Sequence, residues 1–425
     1  MGKIVDTYRE LTPGSAAAQV RAERGVVGGN SRGAAYWKPY PLTIQRAVGT
    51  TLVDVDGREY TDMVNNYTAL AHSHAYPPIV EAVTRQVAKG TSWVANNVWQ
   101  AELAELLIER IPALESVRFT NSGSEAGILA LTIARAITGR SKVLMARHGY
   151  HGILMEYEVG SFPGFMPHWQ DNTYLGNYND ADSFEEILAE HGDEIAAVVL
   201  EPVMGAGGVF TATSEFLRRV QTAANAAGAL FILDEVISFR LSEGGAQALY
   251  RIEPDLTMLG KVIGGGYPVG AVGGKLAHLR VFDPAAAKVV HSGTFCGNPV
   301  SMAAGLVSVR HLTSERIERM DQLAARLATG LTAHASNLSL PLSIKRNGSL
   351  MNVFFTTDEP RAPGRREDAQ VMHLFFLAAL NHGLVVAPRG LISLSTVMDE
   401  GLVDNVVRRA AAAMEDVVEE WTAEI

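Results

Sequence analysis

Two stretches of this chain are apolar at every position: Ile195-Ala196-Ala197-Val198-Val199-Leu200, which runs into Glu201-Pro202, and Ala229-Leu230-Phe231-Ile232-Leu233, which runs into Asp234-Glu235. A strand with one wet face alternates polar and apolar residues. A strand that is apolar throughout is buried on both faces, and a parallel sheet covered by helices provides that environment. The surrounding chain keeps a matching rhythm of strand, loop and helix. Residues 116–120 and 142–146 read as further strands, and segments near 126–137, 183–191 and 214–227 read as helices between them. Residues 269–273 read as one more strand. The prediction is an α/β architecture. In such sheets ligands collect at the carboxyl ends of the strands, where Glu201 and Asp234 fall.

The two ends of the chain have another texture. Residues 1–35 read as one or two helices and a loop, and 43–63 as a β-hairpin turning at Asp56-Gly57. Beyond about residue 338, short strands at 342–345, 350–355, 384–386 and 392–395 mix with helices at 368–382 and 400–421, and 356–366 reads as an exposed loop. This predicts a smaller α+β domain built from residues 1–64 and 313–425 around a large domain at 65–312. Residues 153–180 are irregular and aromatic, a length that suits a lid or binding loop.

Size and charge narrow the function classes. A chain of 425 residues, 47% of them hydrophobic, can bury a sizeable core. Its 36 basic and 46 acidic residues sum to −10, which argues against nucleic acid or a membrane surface as the main partner. Small acidic substrates stay open, because local arginines can outweigh the global charge. A single cysteine, Cys296, rules out an internal disulfide and fits a reducing compartment. The N-terminus lacks a basic-then-apolar pattern, and no apolar run reaches the length of about 18 residues that suggests a spanning helix. A cytoplasmic location is expected.

Four motifs carry chemistry. Leu259-Gly260-Lys261-Val262-Ile263-Gly264-Gly265-Gly266 puts one lysine in an apolar, glycine-rich loop. Burial there lowers a lysine's pKa and makes its amine a nucleophile toward carbonyls, although a lysine snorkelling from a tight turn gives the same pattern. Asp234 lies 27 residues before Lys261, at a strand end. Asn121-Ser122-Gly123-Ser124-Glu125 sits between a strand and a helix, so its N–H groups and hydroxyls suit a phosphate or an ordinary N-cap. Arg147-His148-Gly149-Tyr150-His151-Gly152 places a tyrosine where it can stack on a flat ring. His72 and His74 are close in sequence, but no cysteine or carboxylate cluster completes a metal site. A cofactor with an aldehyde, a pyridine nitrogen, a phosphate and a flat face asks for this set, and that cofactor is pyridoxal phosphate.

With those residues in place, the chain resembles the class III aminotransferases, which are fold type I pyridoxal phosphate enzymes. The resemblance rests on Leu233-Asp234-Glu235-Val236, on 255–266 around Lys261, on 121–126 and on His291-Ser292-Gly293-Thr294-Phe295. Gly28-Gly29-Asn30-Ser31 and Gly245-Ala246-Gln247-Ala248 point to the branch around glutamate-1-semialdehyde aminomutase. One departure is Ile237-Ser238-Phe239-Arg240, where many members have a glycine and one more residue before the Phe-Arg pair. The resemblance implies a mostly parallel seven-stranded sheet in the large domain and a homodimer with active sites at the subunit interface. It implies that Lys261 forms a Schiff base with pyridoxal phosphate and that Asp234 pairs with the pyridine nitrogen. Ser122, Gly123 and Ser124 would hold the phosphate, with Thr294 reaching it from the other subunit. Tyr150 and Val236 would face the ring, with Glu201 nearby.

Two arginines point to a substrate class. Arg32 stands where this branch uses an arginine for a substrate carboxylate. Arg389, in Val386-Ala387-Pro388-Arg389-Gly390, resembles the late carboxylate-binding arginine of aromatic β-amino-acid transaminases. The expectation is a transaminase that moves an amino group from a β-phenylalanine-like donor to a 2-oxo acid such as 2-oxoglutarate. Tyr67, Trp93 and the aromatics at 162–169 are candidates for an apolar side pocket, or for core packing. An aminomutase acting within one molecule, another pyridoxal chemistry, and a non-catalytic relative remain as alternatives.

Overall fold

The computed structural model describes residues 2–153, 171–357, 360 and 368–423. Its strands, in chain order, are β1 (Ile44–Val48), β2 (Thr51–Asp54), β3 (Glu59–Asp62), β4 (Ser116–Thr120), β5 (Lys142–Ala146), β6 (Thr173–Gly176), β7 (Ile195–Leu200), β8 (Val203–Met204), β9 (Phe210–Thr211), β10 (Leu230–Asp234), β11 (Leu256–Gly260), β12 (Gly270–Gly274), β13 (Ser343–Asn347), β14 (Leu350–Phe354), β15 (Leu384–Val385) and β16 (Leu391–Ser393).

Seven strands form the central sheet, in the order β4-β12-β11-β10-β7-β5-β6. β6, β5, β7, β10 and β11 run parallel. Every residue of β7, β10 and β11 is buried, as apolar runs without alternation require. β12 is antiparallel to both β11 and β4. The connection from β11 is only Lys261 to Val269, too short for the crossover that a parallel neighbour needs. Helices such as Gly123–Thr138 and Ser214–Ala226 pack on the sheet. The first is capped by the Ser122 side chain and stopped by Gly139 in the left-handed conformation.

The chain ends meet in two small sheets. β15 pairs in parallel with β3, so a strand from near residue 385 joins the N-terminal β1-β2-β3 sheet. β13, β14 and β16 form the other, all antiparallel. The apolar helix Ala369–Asn381 buries Phe375 and Phe376 beside them.

Two expectations are corrected. The run at 43–55 is two strands, because the chain turns at Gly49, whose φ of +55° a glycine adopts without strain. The segment 153–180 is not irregular throughout: Thr173–Gly176 is the edge strand β6, and its exposed side explains the weak apolar signal. The aromatics at 162–169 and most of 356–366 lie outside the described residues.

Candidate active site

Five strand ends converge at one edge of the central sheet. β4 leads into the helix start at Gly123, β5 into the loop at 147–152, β7 into Glu201, β10 ends on Asp234, and β11 leads into Lys261. A cavity of about 590 Å³ opens there. Its wall brings together Arg32, Ser122, Gly123, Ser124, Tyr150, Glu201, Asp234, Val236 and Lys261, residues drawn from across the sequence.

Lys261 has a φ of +50°, in the left-handed region that a residue with a side chain enters at a cost. That backbone turn follows directly from β11 and points the side chain into the cavity. Burial pulls its ammonium down to about 8, while Asp234 and Glu201 oppose the shift and Arg389 adds to it. A neutral amine is therefore accessible near neutral pH.

Asp234 is buried. One carboxylate oxygen accepts from the Val236 N–H at 3.0 Å, and the other lies 2.9 Å from Nδ1 of His151. Burial works against a charged His151, but the bond to Asp234 and the charges of Asp234 and Glu201 outweigh it and raise the ring's pKa. Glu201 accepts from the N–H groups of Tyr150 at 3.0 Å and Gly205 at 3.2 Å. Burial pushes its carboxyl up to about 7, against the pull of His151 and with a further push from Asp234.

His151 was not among the residues singled out in the sequence. The signal available was its place beside Tyr150 in the glycine-flanked loop, and its partner lies 83 residues away. Asn121 and Ile237, which flank the motifs read from the sequence, and Asn66 and Tyr267, which were not anticipated, also line the cavity.

At the helix start, the Ser122 hydroxyl accepts from the Glu125 N–H at 3.1 Å, so Ser122 is the N-cap. The Ser124 hydroxyl accepts from the Ile153 N–H at 3.2 Å. An α-helix leaves its first N–H groups without intrahelical partners, and those of Gly123 and Ser124 are the ones at the cavity wall. A methyl group on Gly123 would sit 3.2 Å from Val236, and one on Gly152 2.6 Å from the Ser124 backbone. Glycine is required at 152, where φ is +111°, and a side chain at 123 would crowd Val236.

Pyridoxal phosphate fits this donor set. Asp234 keeps lone pairs for a pyridinium N–H. The Gly123 helix start offers N–H donors to a phosphate, Tyr150 and Val236 can face a ring, and Lys261 presents its amine. His151 Nε2 is buried without a hydrogen-bond partner among the described residues, so the base of the site has polar capacity to spare.

The remaining predicted residues lie off this wall. Tyr67 lies close to two guanidinium groups, with the Arg32 carbon 5.8 Å from the ring centroid and the Arg389 carbon 5.7 Å. Its hydroxyl donates to the Ala34 carbonyl. Arg32 Nη1 donates to Asn66 at 2.9 Å. Trp93 is exposed and lies over Gly90, and Thr294 is exposed as well.

The aminotransferase class-III family model matches residues 33–406. The chain is 35% identical to the β-phenylalanine transaminase of Variovorax paradoxus, over 95% of this chain and 94% of that protein. It is 36% identical to a glutamate-1-semialdehyde 2,1-aminomutase of Rhodopirellula baltica, over 88% and 86%. A solved transaminase with pyridoxal phosphate bound superposes with a TM-score of 0.91 at 35% identity, covering 96% of this chain and 99% of that one.

Proposed function

Because the chain belongs to the class III aminotransferases and is a pyridoxal phosphate-dependent enzyme, we propose that it moves the amino group of an aromatic, β-phenylalanine-like β-amino acid to a 2-oxo acid such as 2-oxoglutarate. The observation that carries this reading is the pair of arginines on Tyr67. Arg32 lies on the cavity wall shared with Lys261, and Arg389 is close enough to influence the Lys261 amine. Each guanidinium can grip a carboxylate through two parallel hydrogen bonds. One suffices for the donor's carboxylate, and two match a dicarboxylic acceptor in the same pocket.

Bound pyridoxal phosphate supplies an aldehyde that takes up the amino group and a ring that withdraws electrons when a proton is lost. Lys261 would hold that cofactor and, once freed, take the proton from the amine-bearing carbon of the donor through Nζ. Its depressed pKa keeps this amine able to accept a proton at neutral pH. Asp234 would pair with the pyridine nitrogen, and His151 holds the carboxylate in orientation through Nδ1. The N–H groups of Gly123 and Ser124 anchor the phosphate. Arg32 and Arg389 orient the substrate carboxylates over Lys261.

The reading includes a homodimer. Thr294 and Trp93 are exposed, and large apolar side chains beside them are exposed too, Phe295 at 59% and Val94 fully. A second copy would cover them and bring Thr294 to the other copy's phosphate.

Arg389→Ala tests the substrate assignment. Removing one charge-assisted grip is expected to lower kcat/KM of the 2-oxoglutarate half-reaction by about 10- to 100-fold. Stopped-flow absorbance of the amine-form enzyme mixed with the acceptor reads this directly. An unchanged rate would remove Arg389 from the acceptor site and favour an aminomutase, which needs no free acceptor.

A further inference from the structure

Arg240 is a fully buried arginine that the reaction does not use. It lies in the single turn Ser238–Leu241 just past Asp234. Its guanidinium donates to the hydroxyls of Ser349 at 3.0 Å and Ser393 at 2.7 Å, to the carbonyls of Thr68 at 3.2 Å and Leu394, and approaches the Met320 sulfur. None of these partners is a carboxylate. Burial pulls its pKa down to about 10, so it stays cationic at neutral pH. A buried cation without a counter-ion is costly, and its hydrogen bonds to five separate groups define what it holds together.

Three of those groups, the Thr68 carbonyl, the Ser393 hydroxyl and the Leu394 carbonyl, belong to the two segments that carry substrate recognition. Asn65, Asn66, Tyr67 and Thr68 all have φ between +50° and +74°. Four consecutive left-handed residues, none of them glycine, form a turn that the chain does not favour on its own. This turn presents Asn66 to Arg32 and Tyr67 to both Arg32 and Arg389. Arg240 binds the carbonyl at its end, Thr68. Its other contacts, Ser393 and Leu394, follow directly from the tight turn at Ala387–Gly390 that displays Arg389. The Asn65 side chain adds a bond to the Ser393 carbonyl at 2.6 Å.

We propose that Arg240 is a positioning residue for carboxylate recognition: it staples the left-handed turn bearing Asn66 and Tyr67 to the strand behind Arg389, and so fixes the spacing of the two substrate arginines. The inference rests on the reading of Arg32 and Arg389 as carboxylate ligands. Arg240 touches neither substrate nor cofactor. Lysine at this position keeps the charge but gathers its three N–H donors on one nitrogen, in place of a fork that spans the Thr68 carbonyl and the Ser393–Leu394 strand end.

The test uses the cofactor-loaded enzyme and 3-phenylpropanoate, the donor skeleton without its amine, as a probe of carboxylate binding followed through the cofactor's absorption. Arg240→Lys is expected to weaken probe binding and raise KM for the β-amino acid by about tenfold. The rate at saturating donor, the resting spectrum and cofactor affinity should stay within about twofold. Ser393→Ala, which removes one acceptor and keeps the arginine, should show the same selectivity at about threefold and supplies the answer if Arg240→Lys does not fold. Probe binding equal to wild type, or cofactor affinity falling in parallel with it, would overturn the inference. If the wild-type enzyme itself does not bind the probe, the carboxylate reading of Arg32 and Arg389 fails and this inference goes with it.

Discussion

Lys261→Ala is expected to stop turnover, with a loss of about 10⁴-fold in rate. Lys261 is the only lysine on the cavity wall among the described residues. Arg32, on the same wall, has a guanidinium with no basic lone pair and cannot take its place as a base. The substitution removes a partly buried amine whose ionisation burial already disfavours, so the fold should survive it. The variant therefore separates chemistry from stability. Steady-state assay of the purified, cofactor-supplemented variant checks it, with circular dichroism to confirm folding. Turnover within tenfold of wild type would remove Lys261 from the proton transfer.

Asp234→Asn carries the second largest effect. The amide keeps the shape of the carboxylate and can still bond the Val236 N–H, so the β10 terminus should stay in place. The carboxylate that the proposal pairs with the ring nitrogen becomes a neutral amide. Removing one preorganised electrostatic group of this kind costs about 10²- to 10³-fold in rate. His151 should respond as well: Asp234 is the chief cause of its raised pKa, so the imidazole should titrate lower in the variant. Measuring kcat and cofactor affinity together tests this. A variant that keeps more than about a tenth of the wild-type rate would show that the charge on Asp234 matters little.

The parts of this account that were legible in the sequence are those that local patterning controls. β7 and β10 have no polar residue to place on a wet face, so a sheet buried on both sides was the one environment that suited them, and Glu201 and Asp234 at their ends followed. Lys261 stood out because an apolar glycine-rich loop is a poor place for an ammonium. Contacts set by the fold were not visible. His151 meets Asp234 across 83 residues, and neither sequence neighbourhood announces the other. The Ser-Gly-Ser run suited a cap, and only the helix start shows that Ser122 takes that role. The left-handed turn at Asn65–Thr68 was invisible because Tyr67 and Thr68 have no local preference for it; Arg240 holds it from a distant segment, and Asn65 within it bonds to the distant Ser393 carbonyl. Trp93 read as either a pocket or a core-packing residue, and no local pattern announced that it lies exposed over Gly90.

The most direct measurement mixes the yellow, cofactor-loaded enzyme with 3-amino-3-phenylpropanoate alone and follows its absorption. The account predicts that the aldehyde-form band converts to the amine-form band and that 2-oxoglutarate then restores it. A spectrum that this donor leaves unchanged, while glutamate-1-semialdehyde or an α- or ω-amino acid converts it, would contradict the β-amino-acid assignment and keep only the cofactor chemistry.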